Sequence, residues 1–362
     1  MDRYKEGSTE RLLQLCLGYF IFYVLTGLSV KFFLSSGPGR PGMSNIEYLV
    51  YSTASSTLFA TSVAIFLKWY KFNSIKLVSI WGMKIPYEIF YIIPSGICTA
   101  VIIPTTTLMY SFKNISVMVA MVLMRGAVIV IGRIVDAIQI KQGILKKKVY
   151  WEENVAVVFA LLAIFSKVLT GGNGGKQNPF TSLPVVIIFS SYILSYAIRI
   201  YIMNFYKNTR PKGIKVNTSK GFFAVEQFTS TVTIYLVTII LLILYKKGAF
   251  SGYIITELGN AVFSPVKGWW YWAMIAGLAF GIVAFFSVFI FMYKGRTATF
   301  AGLVNRLTSL LAGTTSTLLF AVFFGGKYPS LVDWFSFVMI IIAIYFMSKS
   351  EQKRTKELER EL

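Results

Sequence analysis

Histidine is absent from this chain of 362 residues, and cysteine occurs only as Cys16 and Cys98. Without histidine there is no imidazole proton relay, no Ser-His-Asp catalysis, and little scope for zinc. Two cysteines, each inside an apolar run, provide neither a disulfide framework nor a thiolate cluster. Acids are scarce too, with 15 Asp and Glu against 36 Lys and Arg. Charged residues make up 14% of the chain, where soluble domains carry about 25%. With no histidine and no clustered carboxylates, no enzyme, cofactor or metal is expected.

Apolar residues are abundant, at 56% of the chain, and aromatics reach 16%. Apolar runs of about 20 residues, long enough to cross roughly 30 Å of hydrocarbon, recur throughout. Ten are found, near 12–34, 46–67, 87–112, 115–140, 153–170, 182–206, 221–245, 268–293, 297–324 and 331–348. The fold class expected is an all-α integral membrane protein with ten transmembrane helices.

A net charge of +21 would suggest nucleic acid for a soluble protein, but here the basic residues alternate between loops. With both termini cytoplasmic, 23 Lys and Arg fall on the inner side and 7 on the outer, and the other six of the 36 lie in helices. That split follows the positive-inside rule and favours an even number of crossings. The expected partners are therefore a small-molecule solute and the lipid bilayer, not nucleic acid, with the chain acting as a monomer or homodimer.

Two stretches look like copies of one module. Met118–Arg125 and Phe300–Arg306 each open an apolar helix and end on an arginine, and Arg125 and Arg306 lie 181 residues apart. Each helix is followed by a basic or Gly-rich turn, a Trp-plus-acid step at Trp151-Glu152 or Asp333-Trp334, and a last apolar helix. The plan is 5+5: residues 1–11 as a cytoplasmic N-terminus, 12–175 and 176–349 as five-helix repeats, and 350–362 as a charged cytoplasmic tail. Five crossings is an odd number, so the second copy enters from the opposite side and the repeats are inverted. The Gly171–Gly175 run reads as a linker, the tail as a solvated helix without a role in transport, and the Asn114–Ser116 sequon as too confined for a glycan.

An ionisable group near mid-bilayer costs about 2.5–3.5 kcal/mol on insertion scales and needs a cavity or a partner. Arg125 has no acid within one helical turn. Asp136, eleven residues on, returns to within about 20° of the same face, and Arg133, three residues before it, is its candidate ion-pair partner. Arg306, Ser309, Gly313 and Thr317 form a polar stripe beside Asn305, with Gly313 read as a point of close helix approach. Glu226, Thr229, Ser230 and Thr233 share one helix face, which makes Glu226 a candidate counter-charge or proton carrier. Tyr192, Ser195, Tyr196 and Arg199 form a comparable stripe, Arg199 being read as an interfacial anchor. Tyr19, Tyr23 and Thr26 line the first helix, and Lys31 and Lys167 are expected to snorkel outward. Bases outnumber acids at depth, which favours an anionic or phosphate-bearing solute held by arginine.

Met121–Ile129, containing Met124-Arg125-Gly126, and Gly302–Leu307 resemble two motifs of the drug/metabolite transporter superfamily. They are similar to the fourth-helix L-R-G and the G-A-L-N-K-L segments of its EamA-like and nucleotide-sugar-transporter-like branch, with Arg306 where lysine usually stands. The resemblance spans roughly 12–349. It implies ten helices in an inverted repeat, and a role for Asn305 and Arg306 in holding a nucleotide portion.

The reading is a secondary transporter working by alternating access, carrying a phosphorylated or nucleotide-linked metabolite, in exchange for a related anion. Arg125, Arg306, Asn305, Ser309, Glu226, Tyr23 and Tyr196 are the expected solute-binding residues. The rival readings are an amino-acid or small-amine carrier using Glu226 as cation partner, and a non-transporting membrane scaffold. The host membrane stays open between a prokaryotic cell membrane and a Golgi or ER endomembrane.

Overall fold

The computed structural model describes residues 8–71, 74, 76–80, 83–111, 117–146, 148–170, 183–209, 218–248, 252–325, 328 and 331–360. The sequon, the Gly171–Gly175 run, the boundary between the repeats and residues 1–7 of the N-terminal segment lie outside these, as does the side chain of Lys167.

Eleven helices are described: α1 (Thr9–Leu34), α2 (Asn45–Phe66), α3 (Glu88–Ser111), α4 (Val117–Lys141), α5 (Trp151–Thr170), α6 (Leu183–Thr209), α7 (Thr218–Lys246), α8 (Tyr253–Phe263), α9 (Trp270–Phe291), α10 (Ala298–Phe324) and α11 (Leu331–Arg360). Short strands β1 (Ser36–Gly37) and β2 (Arg40–Pro41) form one antiparallel hairpin, and β3 (Leu77–Ile80) and β4 (Met83–Pro86) another. Eight helices among the described residues are long and apolar enough to cross a membrane, which marks an integral multi-pass membrane protein. The other two long helices are α4, of 25 residues, and α5, of 20. Both hairpins and α8, a helix of 11 residues, lie between the apolar runs, where the sequence shows no membrane-length segment.

Helix starts are fixed by short polar side chains. Ser8 Oγ accepts from Arg11 N–H at 3.3 Å, Ser44 Oγ from Glu47 N–H at 3.1 Å and Thr297 Oγ1 from Phe300 N–H at 3.1 Å, satisfying amides that no helix turn can reach. Gly325, at φ 67°, takes the left-handed conformation that closes α10. Pro94 and Pro104 lie inside α3. Beside Pro104, the Thr105 and Thr106 hydroxyls each donate 2.7 Å bonds back to the helix, to Val101 O and Ile102 O. Where water is scarce, such bonds satisfy both hydroxyl and carbonyl.

The outward faces are apolar. Leu13, Leu17, Ile21 and Leu25, four residues apart along α1, are each at least 45% exposed. Hydrophobicity therefore does not drive the helices together in lipid, and close packing of small residues takes its place. A Cβ on Gly96 of α3 would lie 2.6 Å from Thr229 Cβ of α7, and one on Gly277 of α9 would lie 2.7 Å from Ser52 Cα of α2. Gly313 is different: nothing lies within 4 Å of its Cβ position, so it is not the close-approach point that its stripe suggested.

α1 packs on α9 and α10, while α6 packs on α3 and α4; α2 packs on α9, and α7 on α3. α2 also meets α7, α4 meets α10, and α5 meets α11. Thr9 Oγ1 lies 3.0 Å from both Glu351 Oε1 and Thr355 Oγ1, so the start of α1 and the end of α11 share one face of the bundle. The tail does continue as helix, but it is not wholly solvated: Ser350, Glu351 and Arg354 are buried.

Candidate functional site

Two tyrosines one helical turn apart project from α1, and two more from α6. The rings of Tyr19 and Tyr23 are 5.4 Å apart between centroids, those of Tyr192 and Tyr196 4.7 Å. The four-residue spacing puts both members of a pair on one helix face.

Each pair meets equivalent partners. Tyr23 Oη accepts from Arg125 Nη2 at 3.1 Å, with the guanidinium 5.8 Å from its ring centroid. The Arg306 guanidinium lies 5.0 Å from the Tyr196 ring centroid. Tyr19 donates its hydroxyl at 3.4 Å to Asn305 Oδ1, on the residue preceding Arg306. Tyr192 donates its hydroxyl at 3.5 Å to the carbonyl of Met124, the residue preceding Arg125. In each set one tyrosine meets an arginine and the other donates its hydroxyl to the residue that precedes the other arginine.

The surroundings of the two arginines differ. Asn305 Nδ2 donates to Ser287 Oγ of α9 at 3.0 Å, so an ordered amide and hydroxyl stand beside Arg306, while Tyr192 donates to the backbone carbonyl of Met124. Arg306 is 8% exposed and its Nε is buried without a hydrogen-bond partner. A buried donor left unmet costs about 1–3 kcal/mol, a cost that an arriving acceptor would remove. Arg125 is less enclosed.

The acids are engaged elsewhere. Glu226 of α7 receives Arg199 Nε on Oε1 at 2.9 Å, Arg199 Nη2 on Oε2 at 3.0 Å, and Ser95 Oγ on Oε1 at 2.6 Å. Arg199 is therefore a buried ion-pair partner rather than an interfacial anchor, because Glu226 draws it into the bundle. Among the described residues no ion pair joins Arg133 to Asp136. Instead Asp136 accepts the amides of Ala298 and Thr299, both at 2.7 Å, and so neutralises the positive end of α10. Ser309 Oγ donates to Arg306 O of its own helix at 2.9 Å rather than projecting toward the tyrosines. Lys31 Nζ donates to Thr317 Oγ1 of α10 at 2.6 Å, which ties α1 to α10.

The structure thus gathers Tyr23, Tyr196, Arg125, Asn305 and Arg306, ties Glu226 to Arg199 and Ser95, and assigns Asp136 to a helix end. It adds Tyr19, Tyr192, Ser287 and Ser95. The repeated Tyr-x-x-x-Tyr of α1 and α6 was the sequence signal for the first two; Ser287 and Ser95 had none. Among the described residues no group of three or more Cys, Asp or Glu is placed to hold a metal.

No protein-family model matches the chain, and no curated protein does. Among 18 solved chains that match, a crystal structure of a protein covers 96% of this chain and 99% of its own, with a TM-score of 0.55 and 11% sequence identity. At that identity the likeness is one of fold alone.

Proposed function

We propose that this membrane protein is a secondary transporter of the drug/metabolite type, carrying a small anionic solute by alternating access between two inverted five-helix repeats. The observation that carries the reading is the duplicated site: Tyr23 with Arg125 and Tyr196 with Arg306, the tyrosines near the middle of α1 and α6 and the arginines about a third of the way along α4 and α10. Helix packing supports the repeat. Leaving out α8, exchanging the first five long helices with the last five turns α1 on α9 and α10 into α6 on α3 and α4, and turns α2 on α9 into α7 on α3. The same exchange maps α2 with α7, α4 with α10 and α5 with α11 onto themselves. The meeting of the two chain ends at one face, with the loop charge bias, supports ten crossings and cytoplasmic termini.

The cargo is a phosphorylated or nucleotide-linked metabolite. Arg306, with Asn305 beside it, presents donors in a fork suited to phosphate oxygens, and the tyrosine rings offer flat surfaces for a planar portion. The amine reading is the weaker one, since the carboxylate it needs, Glu226, is already neutralised by Arg199 and accepts a further bond from Ser95.

The test is a thermal-shift screen of detergent-purified protein against nucleotide sugars, nucleoside monophosphates, sugar phosphates, amino acids and amines. A ligand at a hundred times its Kd adds about 2.7 kcal/mol to stability. Stabilisation by a phosphate-bearing compound that disappears in Arg306→Ala supports the reading. Stabilisation by amines or amino acids alone overturns it.

A further inference from the structure

The charged end of α11 is built into the bundle where a solvated tail would be expected. Glu351 Oε1 accepts from Thr9 Oγ1 at 3.0 Å and pairs with Arg296. Ser350 Oγ donates to Glu153 Oε1 at 2.9 Å, and Arg354 Nη2 lies 3.4 Å from the same oxygen. Arg354 also pairs with Glu357 at 3.1 Å, and its guanidinium lies 4.5 Å from the Tyr150 ring centroid. Glu153, fully buried, completes the knot by accepting Thr297 Oγ1 at 3.0 Å on Oε2.

These bonds tie together the starts of three helices: α1 through Thr9, α5 through Glu153 and α10 through Arg296 and Thr297. α10 is the helix that carries Asn305 and Arg306. Ala298–Leu303 and Asn305–Leu307, on the side of the knot, are buried. Beyond them, space is open beside Gly313, and at the opposite face the half-buried Arg40 donates to Phe324 O and lies over the Phe320 ring. The face bearing the chain ends is therefore fastened by several buried charge-assisted bonds, which are expensive to break one partner at a time.

We propose that residues 350–357 are a latch that holds the bundle closed at the face of the chain ends and must release before the site can open there. The proposal rests on the transport reading, since only an alternating protein has a state to latch. A purely structural tail would make the same bonds but would not govern which side reaches the site.

Side-specific labelling separates the two. Gly313→Cys, in a background with Cys16→Ala and Cys98→Ala, is labelled by a membrane-impermeant maleimide in sealed vesicles of either orientation. The latched protein is expected to label from the face opposite the chain ends. Glu351→Gln with Arg354→Gln is expected to raise labelling from the near face severalfold. As this pair could fail to fold, Thr9→Cys with Thr355→Cys gives the reverse arm, the native hydroxyl oxygens being 3.0 Å apart. Oxidation to the disulfide is expected to abolish near-face labelling and solute exchange while far-face labelling persists, and reductant is expected to restore both. Exchange that continues through the disulfide, or an unaltered side ratio in a folded unlatched variant, overturns the latch alone. A reporter that labels from neither face in any variant overturns the transport reading, and the latch with it.

Discussion

Arg199 and Glu226 face each other across α6 and α7 in a two-pronged pair, Nε to Oε1 at 2.9 Å and Nη2 to Oε2 at 3.0 Å. Both side chains are under 10% exposed. Removing one partner from such a pair leaves a buried charge and costs about 3–5 kcal/mol, whereas replacing both with apolar groups is often neutral. Glu226→Leu is therefore expected to lower the melting temperature sharply, and Glu226→Leu with Arg199→Met to recover most of the loss. Thermal denaturation in detergent measures both. A double variant no more stable than the single would mean the pair does more than neutralise itself.

Arg306 is expected to matter more for ligand affinity than Arg125. It is the more enclosed of the two, carries an unmet Nε donor, and has Asn305 held beside it by Ser287. A charged hydrogen bond is worth about 1.5–3 kcal/mol, so Arg306→Ala is expected to weaken binding of a phosphate-bearing ligand roughly ten- to a hundredfold. Tyr196→Phe keeps the ring under the guanidinium and is expected to bind better than Tyr196→Leu. Calorimetric titration of each variant decides the order. Equal losses at Arg125 and Arg306 would contradict the asymmetry argued from burial.

Sequence made the long helices legible because a 20-residue apolar run has few other uses, and it exposed Arg125 and Arg306 because a deep charge stands out. It could not pair Arg199 with Glu226. That contact depends on how α6 and α7 are rotated against each other, and helical spacing describes one helix at a time. For the same reason Asp136 was matched with its sequence neighbour Arg133, although its partners are the amides of Ala298 and Thr299 on a distant helix. The tail misled in the opposite way. Its mixed charges read as solvated, yet Ser350, Glu351 and Arg354 are buried against Glu153, Arg296 and Thr9.

Asp136 acts on α10 as a capping residue supplied by another helix. Capping side chains contribute about 0.5–2 kcal/mol, and here the carboxylate also faces the helix dipole. Asp136→Ala is expected to destabilise the protein by about that much, with Asp136→Asn intermediate because its amide retains one acceptor oxygen. Hydrogen exchange at the amides of Ala298 and Thr299 offers the local readout. Faster exchange confined to the start of α10 fits a cap, and unchanged exchange there would contradict it.

Glycine positions offer a test of packing that does not depend on cargo. A Cβ at Gly96 would lie 2.6 Å from Thr229 Cβ and 2.8 Å from the carbonyl oxygen of Glu226, so α3 and α7 must part to admit it. Overpacking of that kind costs about 1–3 kcal/mol, and parting these helices would also disturb the Ser95 bond to Glu226. At Gly313 the added methyl meets nothing within 4 Å, and alanine is the better helix former by about 1 kcal/mol. Gly96→Ala is therefore expected to lower the melting temperature, while Gly313→Ala leaves it unchanged or raises it. If Gly313→Ala proved as damaging as Gly96→Ala, the space beside Gly313 would have to close in the membrane.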